Sequence, residues 1–413
     1  FDYAWDKIPG WMKKIKIDEP LNGWLIDAYL DYLEIVPQIF RVEGSCNSYL
    51  VVTKNGSVLI DPAGAALAPE FFEKILEKSP LKAILLTHAH QDHSDDMERW
   101  MGEKQIPVVA QREFKRYFEY VGELQGFFSR RNAIWSGRLP GEAEQKQAKQ
   151  QLKPTVYFSD EYELEVGGLH FKMSHTPGET PDHATIWIPE LKAVFVGDNY
   201  YEYFINNSTF RGTMIRPVLG YLRALDTALA FKPEYFLMGH GSPLVSEKEV
   251  KQTAGNFRDA LKYVYDETIK GINAGKDVHT LMNEIKLPEK YPIPQSYGKV
   301  EWTVRGIWQE TVGWFDENPA SMYAAPVADV YADLSELAGA ENLLRKAQTY
   351  IGQREYPKAL HLTEIVLKTD TRHRDANRTR IDALNGLLAG TNNFIEKIWL
   401  RHAIRVCQEN LEK

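Results

Sequence analysis

Between residues 37 and 62 the apolar positions come in short alternating bursts, PQIFRVEG, NSYLVVT and GSVLIDP, punctuated by Gly and by Asn55-Gly56. A period of two puts every second side chain on one face, so these segments are predicted strands, two of them joined in a hairpin. PEFFEKILEK (69–78) changes to helical spacing, and KAILLT (82–87) is an unbroken apolar run of the length of a buried strand. Strand-like pieces recur at TVYFS, YELEVGGLHFKMSH, ATIWIP, KAVFVGD and YFLMGH, the last ending at His240.

After about residue 246 the period becomes helical and strand signals fade, as in EKEVKQTAGNFRDALKYVYDETIKGINAG and most of 330–413. ENLLRKAQTYIGQREYPKALHLTEIVLKTD predicts a helical hairpin of the tetratricopeptide kind, with Gly352, Tyr356 and Ala359 near its small and aromatic positions; one such unit does not make an array. Residues 1–36 alternate aromatics with charge and predict an arm ending in an amphipathic helix. The polar stretch 142–152 predicts a solvated helix or loop. The expected organisation is an arm (1–36), a mixed α/β catalytic part (37–245) and an all-α part (246–413).

Composition changes this picture little. A chain of 413 residues exceeds one ordinary core. Its net charge of −8, with both signs interspersed, argues against nucleic acid or an anionic membrane surface as partner. No apolar run approaches the roughly 18–20 residues that span a bilayer. Cys46 and Cys407 are too far apart in sequence to suggest a disulfide framework or a close metal pair. The chain begins at Phe1 without a Met, which is compatible with a removed secretion leader and leaves the compartment open.

The chemistry concentrates in LLTHAHQDHSDD (85–96), where His88, His90, Asp92 and His93 fall within six positions. Crowded imidazoles repel when charged and are costly to desolvate, so a shared cation is the natural partner. Histidine nitrogen and carboxylate oxygen suit zinc, and also iron or manganese. His88 and His90 follow a strand, while Asp92 and His93 turn into a helix start and face a neighbouring position.

This H-x-H-x-D-H pattern after a buried strand resembles the metallo-β-lactamase superfamily. The resemblance implies an α/β, four-layer αββα fold with metals at the sheet edges and further ligands at strand ends. It assigns Asp198 in VFVGDN as the bridging carboxylate and His240 in FLMGHG as the last histidine. In SHTPGETPDH it assigns Glu179 where many members carry His, with His175 and His183 as alternatives. Two zinc ions per chain are then expected, one on His88, His90 and Glu179, the other on Asp92, His93 and His240, bridged by Asp198. Asp92 and Asp198 are the expected catalytic carboxylates. Two ions about 3.5–4 Å apart turn a shared water into a hydroxide near neutral pH.

Glutamate at that position is a trait of the alkylsulfatase branch, and two further stretches resemble it. DNYYEYFINNSTFRG (198–212) is similar to the branch's E-N-x₆-N-x₂-T-x-R-G segment. SYGKVEWTVRGIWQETVGWFDENPA (296–320) is similar to its dimerisation domain, which implies that the all-α part makes a homodimer. The resemblance assigns Asn206 and Arg211 to the sulfate; independently, a guanidinium offers a planar fork to a tetrahedral oxyanion. The chain departs from the branch at Asp198 (for Glu), at Glu202 and Ile205 (for histidines) and at Trp308 (for Tyr). The sterol-carrier-like domain of longer alkylsulfatases has no counterpart in these residues.

The expected function is therefore hydrolysis of a sulfate ester of a small or medium alkyl alcohol. Two other readings stand beside it: hydrolysis of a lactone, thioester, β-lactam or phosphodiester, and a non-catalytic, metal-stabilised dimeric binding protein. Trp302, Trp308 and Trp314 recur every six residues, which is no helical face, and are expected in core or interface packing. Tyr200, Tyr201, Tyr203 and Phe204 are read as a substrate wall or as packing.

Overall fold

A computed structural model of the protein describes residues 34–102, 105–137 and 153–412. The predicted arm (except residues 34–36) and the polar stretch 142–152 lie outside the described residues. One sheet runs in sequence order through β1 (Glu34–Val36), β2 (Ile39–Glu43), β3 (Asn47–Thr53), β4 (Gly56–Ile60), β5 (Leu81–Leu85), β6 (Val108–Gln111) and β7 (Val156–Phe158). Its first four strands pair antiparallel and β4 to β7 pair parallel. The second sheet comprises β8 (Glu161–Val166), β9 (Leu169–His175), β10 (Ala184–Ile188), β11 (Ala193–Gly197), β12 (Tyr235–Met238) and β13 (Leu244–Val245), all antiparallel except β11 with β12.

The apolar runs explain the layering. β3 and β4 are buried on both faces, which is why they read as nearly continuous hydrophobic stretches. Tyr49, Val51, Val58 and Ile60 meet Phe171, Met173, Ile186 and Phe195 between the two sheets. The opposite face of the first sheet buries Leu50, Leu59 and Ile84 against α1 (Pro69–Lys78), α3 (Met97–Met101) and α4 (Glu113–Glu123), which contribute Phe72, Trp100 and Phe114. The short α2 (Gln91–Ser94) precedes α3, and α5 (Gln125–Trp135) follows α4. The outer face of the second sheet packs on α6 (Val218–Ala230) and α7 (Glu247–Asn273). Helix, sheet, sheet, helix is the four-layer arrangement expected.

Helix α7 starts where Ser246 Oγ accepts the Glu249 N–H at 3.2 Å, satisfying one orphan donor of its first turn. Its Val250, Phe257 and Leu261 share one core with Phe236 and Met238 of the sheet and with Val300, Val304 and Ile307 of α9 (Val300–Val312), which follows α8 (Val278–Glu284). The helical half is thus continuous with the sheet layers. Beyond it, α10 (Tyr331–Ala338), α11 (Ala340–Gly352), α12 (Tyr356–Thr369), α13 (Arg374–Gly390) and α14 (Phe394–Glu412) pack in succession. Ala347, Ala359 and Ala383 are buried where α11, α12 and α13 meet, the helical hairpin read from the sequence. Among the described residues no helix is long and apolar enough to cross a membrane.

Candidate metal centre

The site lies along one edge, where β4, β5, β11 and β12 end. β5 runs out at Leu85 and delivers His88 and His90; the single turn of α2 then swings His93 inward. The loop between β9 and β10 carries Glu179, β11 ends one residue before Asp198, and β12 ends two before His240. All seven residues singled out as ligands meet here. His88 Nε2 lies 2.9 Å from His90 Nδ1 and 3.8 Å from Asp198 Oδ2, and His90 Nδ1 lies 3.9 Å from Glu179 Oε1. Beside them, His240 Nε2 is 3.4 Å from Asp92 Oδ2, from Asp198 Oδ2 and from His93 Nε2. Asp198 reaches both sides, with Oδ1 3.2 Å from His93 Nε2.

This donor set fits a divalent cation. Imidazole nitrogens face one another in pairs, and the buried His90 Nε2 and Asp198 Oδ1 have no well-aligned hydrogen-bond partner. Three overlapping groups each have their atoms within 4.8 Å: His88, His93 and Asp198; Asp92, His93 and His240; His90, Glu179 and Asp198. Nitrogen and carboxylate oxygen in this proportion suit zinc.

The local electrostatics divide the histidines into two pairs. Burial holds the His88 and His90 imidazoles well below their usual range, helped for His90 by Arg216 and Arg211. Burial also opposes charge on His93 and His240, yet Asp198 beside them lifts His93 well above the ordinary value and His240 to about 10. Against burial, the His240 hydrogen bond and the His93 charge hold Asp92 at about 2.

A supporting shell went unread in the sequence. Asp61, at the end of β4, accepts from the Thr87 N–H (2.8 Å) and hydroxyl (2.6 Å), and its Oδ2 lies 2.9 Å from His93 Nδ1. Tyr201 donates to Asp198 Oδ2 at 2.7 Å. Glu179 is gripped on both oxygens, by Arg216 Nη1 at 2.5 Å and by the Tyr221 hydroxyl, while its N–H donates to Asn199 Oδ1 at 2.9 Å. The strand-end position of Asp61 in VLIDP was a usable signal, since the candidate ligands sit at strand ends too. Nothing in the sequence separates Arg216 or Tyr221 from ordinary helix-flanking residues.

The alternatives to Glu179 have other partners. His175 Nε2 lies 2.7 Å from the Pro181 carbonyl. His183 Nε2 accepts the Asp198 N–H at 3.1 Å and its ring stacks on His88, so it braces two ligand segments. Asn206 is buried with both amide atoms unpartnered, and the Arg211 guanidinium lies over the Trp135 ring at 5.7 Å. Tyr200 and Phe204 are core, whereas Tyr201 faces the site. Trp302 packs on Phe210 and Trp308 on the core, but Trp314 is exposed. The helical half also reaches in: the Tyr297 ring lies 5.2 Å from Tyr201, and the Gly298 N–H donates to Phe204 O at 3.0 Å.

Residues 41–240 match the metallo-beta-lactamase superfamily and residues 278–409 match the alkyl sulfatase dimerisation family. The chain thus carries a metallo-β-lactamase domain followed by an alkyl sulfatase dimerisation domain, the pairing expected of the alkylsulfatase branch. A linear primary-alkylsulfatase of a Pseudomonas strain is 25% identical over 347 residues, covering 78% of this chain and 65% of the relative. An (R)-specific secondary-alkylsulfatase of Pseudomonas sp. is 24% identical over 398 residues, 88% of this chain and 60% of the relative. The solved structure of the stereoselective inverting sec-alkylsulfatase Pisa1 from Pseudomonas sp. superposes with a TM-score of 0.79 at 22% identity, over 91% of this chain and 65% of that one. The chain spans under two thirds of the length of those relatives.

Proposed function

We propose that this chain is a zinc-dependent hydrolase of sulfate esters of small or medium alkyl alcohols. The observation that carries the reading is the convergence of six nitrogen and oxygen ligand groups on either side of Asp198, in a chain whose helical half matches the alkyl sulfatase dimerisation family. His88, His90 and Glu179 would hold one zinc ion and Asp92, His93 and His240 the other, with Asp198 serving both. Bound there, a zinc pair supplies a nucleophile from water near neutral pH and stabilises charge that develops on oxygen.

The remaining tasks fall to the chain's own groups. Asp61 fixes the His93 ring so that Nε2 faces the centre, and Tyr201 aligns the Asp198 carboxylate. Asn206, with its amide unspent, and Arg211 would take the sulfate oxygens, where a charge-assisted fork both orients the ester and admits an anion beside three carboxylates.

A second reading draws on the positions where the branch carries histidines and a tyrosine. Ile205 is buried in the core, Trp308 packs against it, and Glu202 accepts the Ser242 N–H at 3.0 Å. No imidazole or phenol stands at those places, which favours an ester whose leaving group needs none, including a neutral one. Comparing Arg211→Ala on a short primary alkyl sulfate and on a neutral ester separates the two. Loss of sulfate release by about a hundredfold, with the neutral ester unaffected, supports the sulfate reading; equal effects on both move the substrate class.

The proposed assembly is a homodimer through the helical half. Tyr323 (71% exposed), Trp314 (72%) and Leu337 (85%) display apolar surface within the matched dimerisation segment.

A further inference from the structure

We infer that Arg216 makes the two metal positions unequal, so that the His88–His90–Glu179 position fills last and holds its ion weakly. The inference rests on the dinuclear reading above and concerns which half of the centre is labile.

Arg216 is fully buried and anchored three ways: its Nε donates to Thr213 Oγ1 at 3.1 Å, and its Nη1 donates to the Asn206 carbonyl at 3.2 Å and to Glu179 Oε1 at 2.5 Å. Tyr221 takes the other Glu179 oxygen. Both oxygens of this ligand are therefore engaged before any cation arrives. A guanidinium does not shed its proton in a protein, so a dication at Glu179 shares its carboxylate with a permanent positive charge. In an interior site that repulsion is weakly screened.

The other position has the opposite surroundings. Asp92 and Asp198 flank His240, and Asp61 stands behind His93. Carboxylates thus surround one ion, whereas a buried arginine neutralises the sole carboxylate private to the other. The cationic side is also the side of Asn206, whose carbonyl Arg216 holds, so an anion taken up by Asn206 would stand beside the more weakly held position.

The test is a calorimetric titration of zinc into metal-free protein, repeated with cobalt(II) followed by its visible absorption. The wild type is expected to bind in two steps separated by about tenfold or more in affinity. Arg216→Gln, which keeps a hydrogen-bonding amide but removes the charge, is expected to tighten the second step by about tenfold and leave the first in place. Arg216→Met serves as a second charge-free variant, and Arg216→Lys, which keeps the charge, is expected to keep the gap. Two equal steps in the wild type overturn the inference while leaving the dinuclear centre standing. So does a second step that is unchanged or weakened in the charge-free variants, which makes Arg216 a simple anchor for Glu179. A wild type and charge-free variants that all bind a single zinc overturn both readings.

Discussion

Asp61 Oδ2 stands 2.9 Å from His93 Nδ1, on the side of the ring away from the centre. The contact selects the tautomer whose Nε2 is free for a metal and makes that nitrogen a better donor. Asp61→Ala should weaken zinc at the His93 position by about 10–100-fold. It should also strip two Thr87 donors of their acceptor, at about 1–3 kcal/mol for a buried group left unpaired. Asp61→Asn keeps an acceptor for Thr87 and should lose mostly metal affinity. Competition with a chromophoric chelator, beside thermal melts, measures both.

Zinc itself should stabilise the fold. Binding to the native state at about a thousand times Kd adds about 4 kcal/mol. Chelation is therefore expected to lower Tm by several degrees, and added zinc to restore it. A melt unmoved by chelator in protein shown to have lost its metal would contradict the buried placement of these ligands.

Gly298 fastens the helical half to the loop that carries Asn206. Its N–H donates to Phe204 O, and a Cβ there would fall 1.7 Å from the Ile205 carbonyl. Gly298→Ala must therefore push the 204–206 segment, and Asn206 with it. The expected result is about a tenfold or greater loss in kcat/KM for the anionic ester with zinc content unchanged, read by steady-state kinetics and metal analysis. Intact kinetics would show that Asn206 is not a substrate contact.

Asp182 supplies a pH dependence. Burial raises its carboxyl to about 7, and neither oxygen has a well-aligned partner. Between about pH 4 and 7 the folded state keeps a proton that the unfolded chain has lost, so stability falls as pH rises through that window. The ceiling is on the order of 4 kcal/mol for about three units of displacement. Asp182→Asn removes the dependence: its Tm advantage over the wild type should be small near pH 5 and grow by pH 8. An advantage that does not change with pH would contradict a protonated Asp182.

Much of this was legible because it is local. Alternating and continuous apolar runs give the strands, and a metal loop needs its ligands close in sequence, so His88, His90, Asp92 and His93 announced themselves. Glu179, Asp198 and His240 lie apart in the chain and were singled out as candidate ligands through strand ends and family resemblance. The supporting shell was legible only at Asp61, through its strand-end position. Asp61, Arg216 and Tyr221 act through contacts 32 to 42 residues away in sequence, and residue type alone does not reveal them. The Tyr200–Phe204 stretch shows the same limit, since Tyr201 faces the site while its neighbours fill the core.

The most direct measurement is free sulfate released from a short alkyl sulfate as metal-free protein is titrated with zinc. A zinc-dependent sulfate-ester hydrolase should show no release without metal, release that rises with zinc bound, and loss of release in Arg211→Ala at full zinc occupancy. A protein carrying two zinc ions that frees no sulfate from primary or secondary alkyl esters would contradict the proposed function.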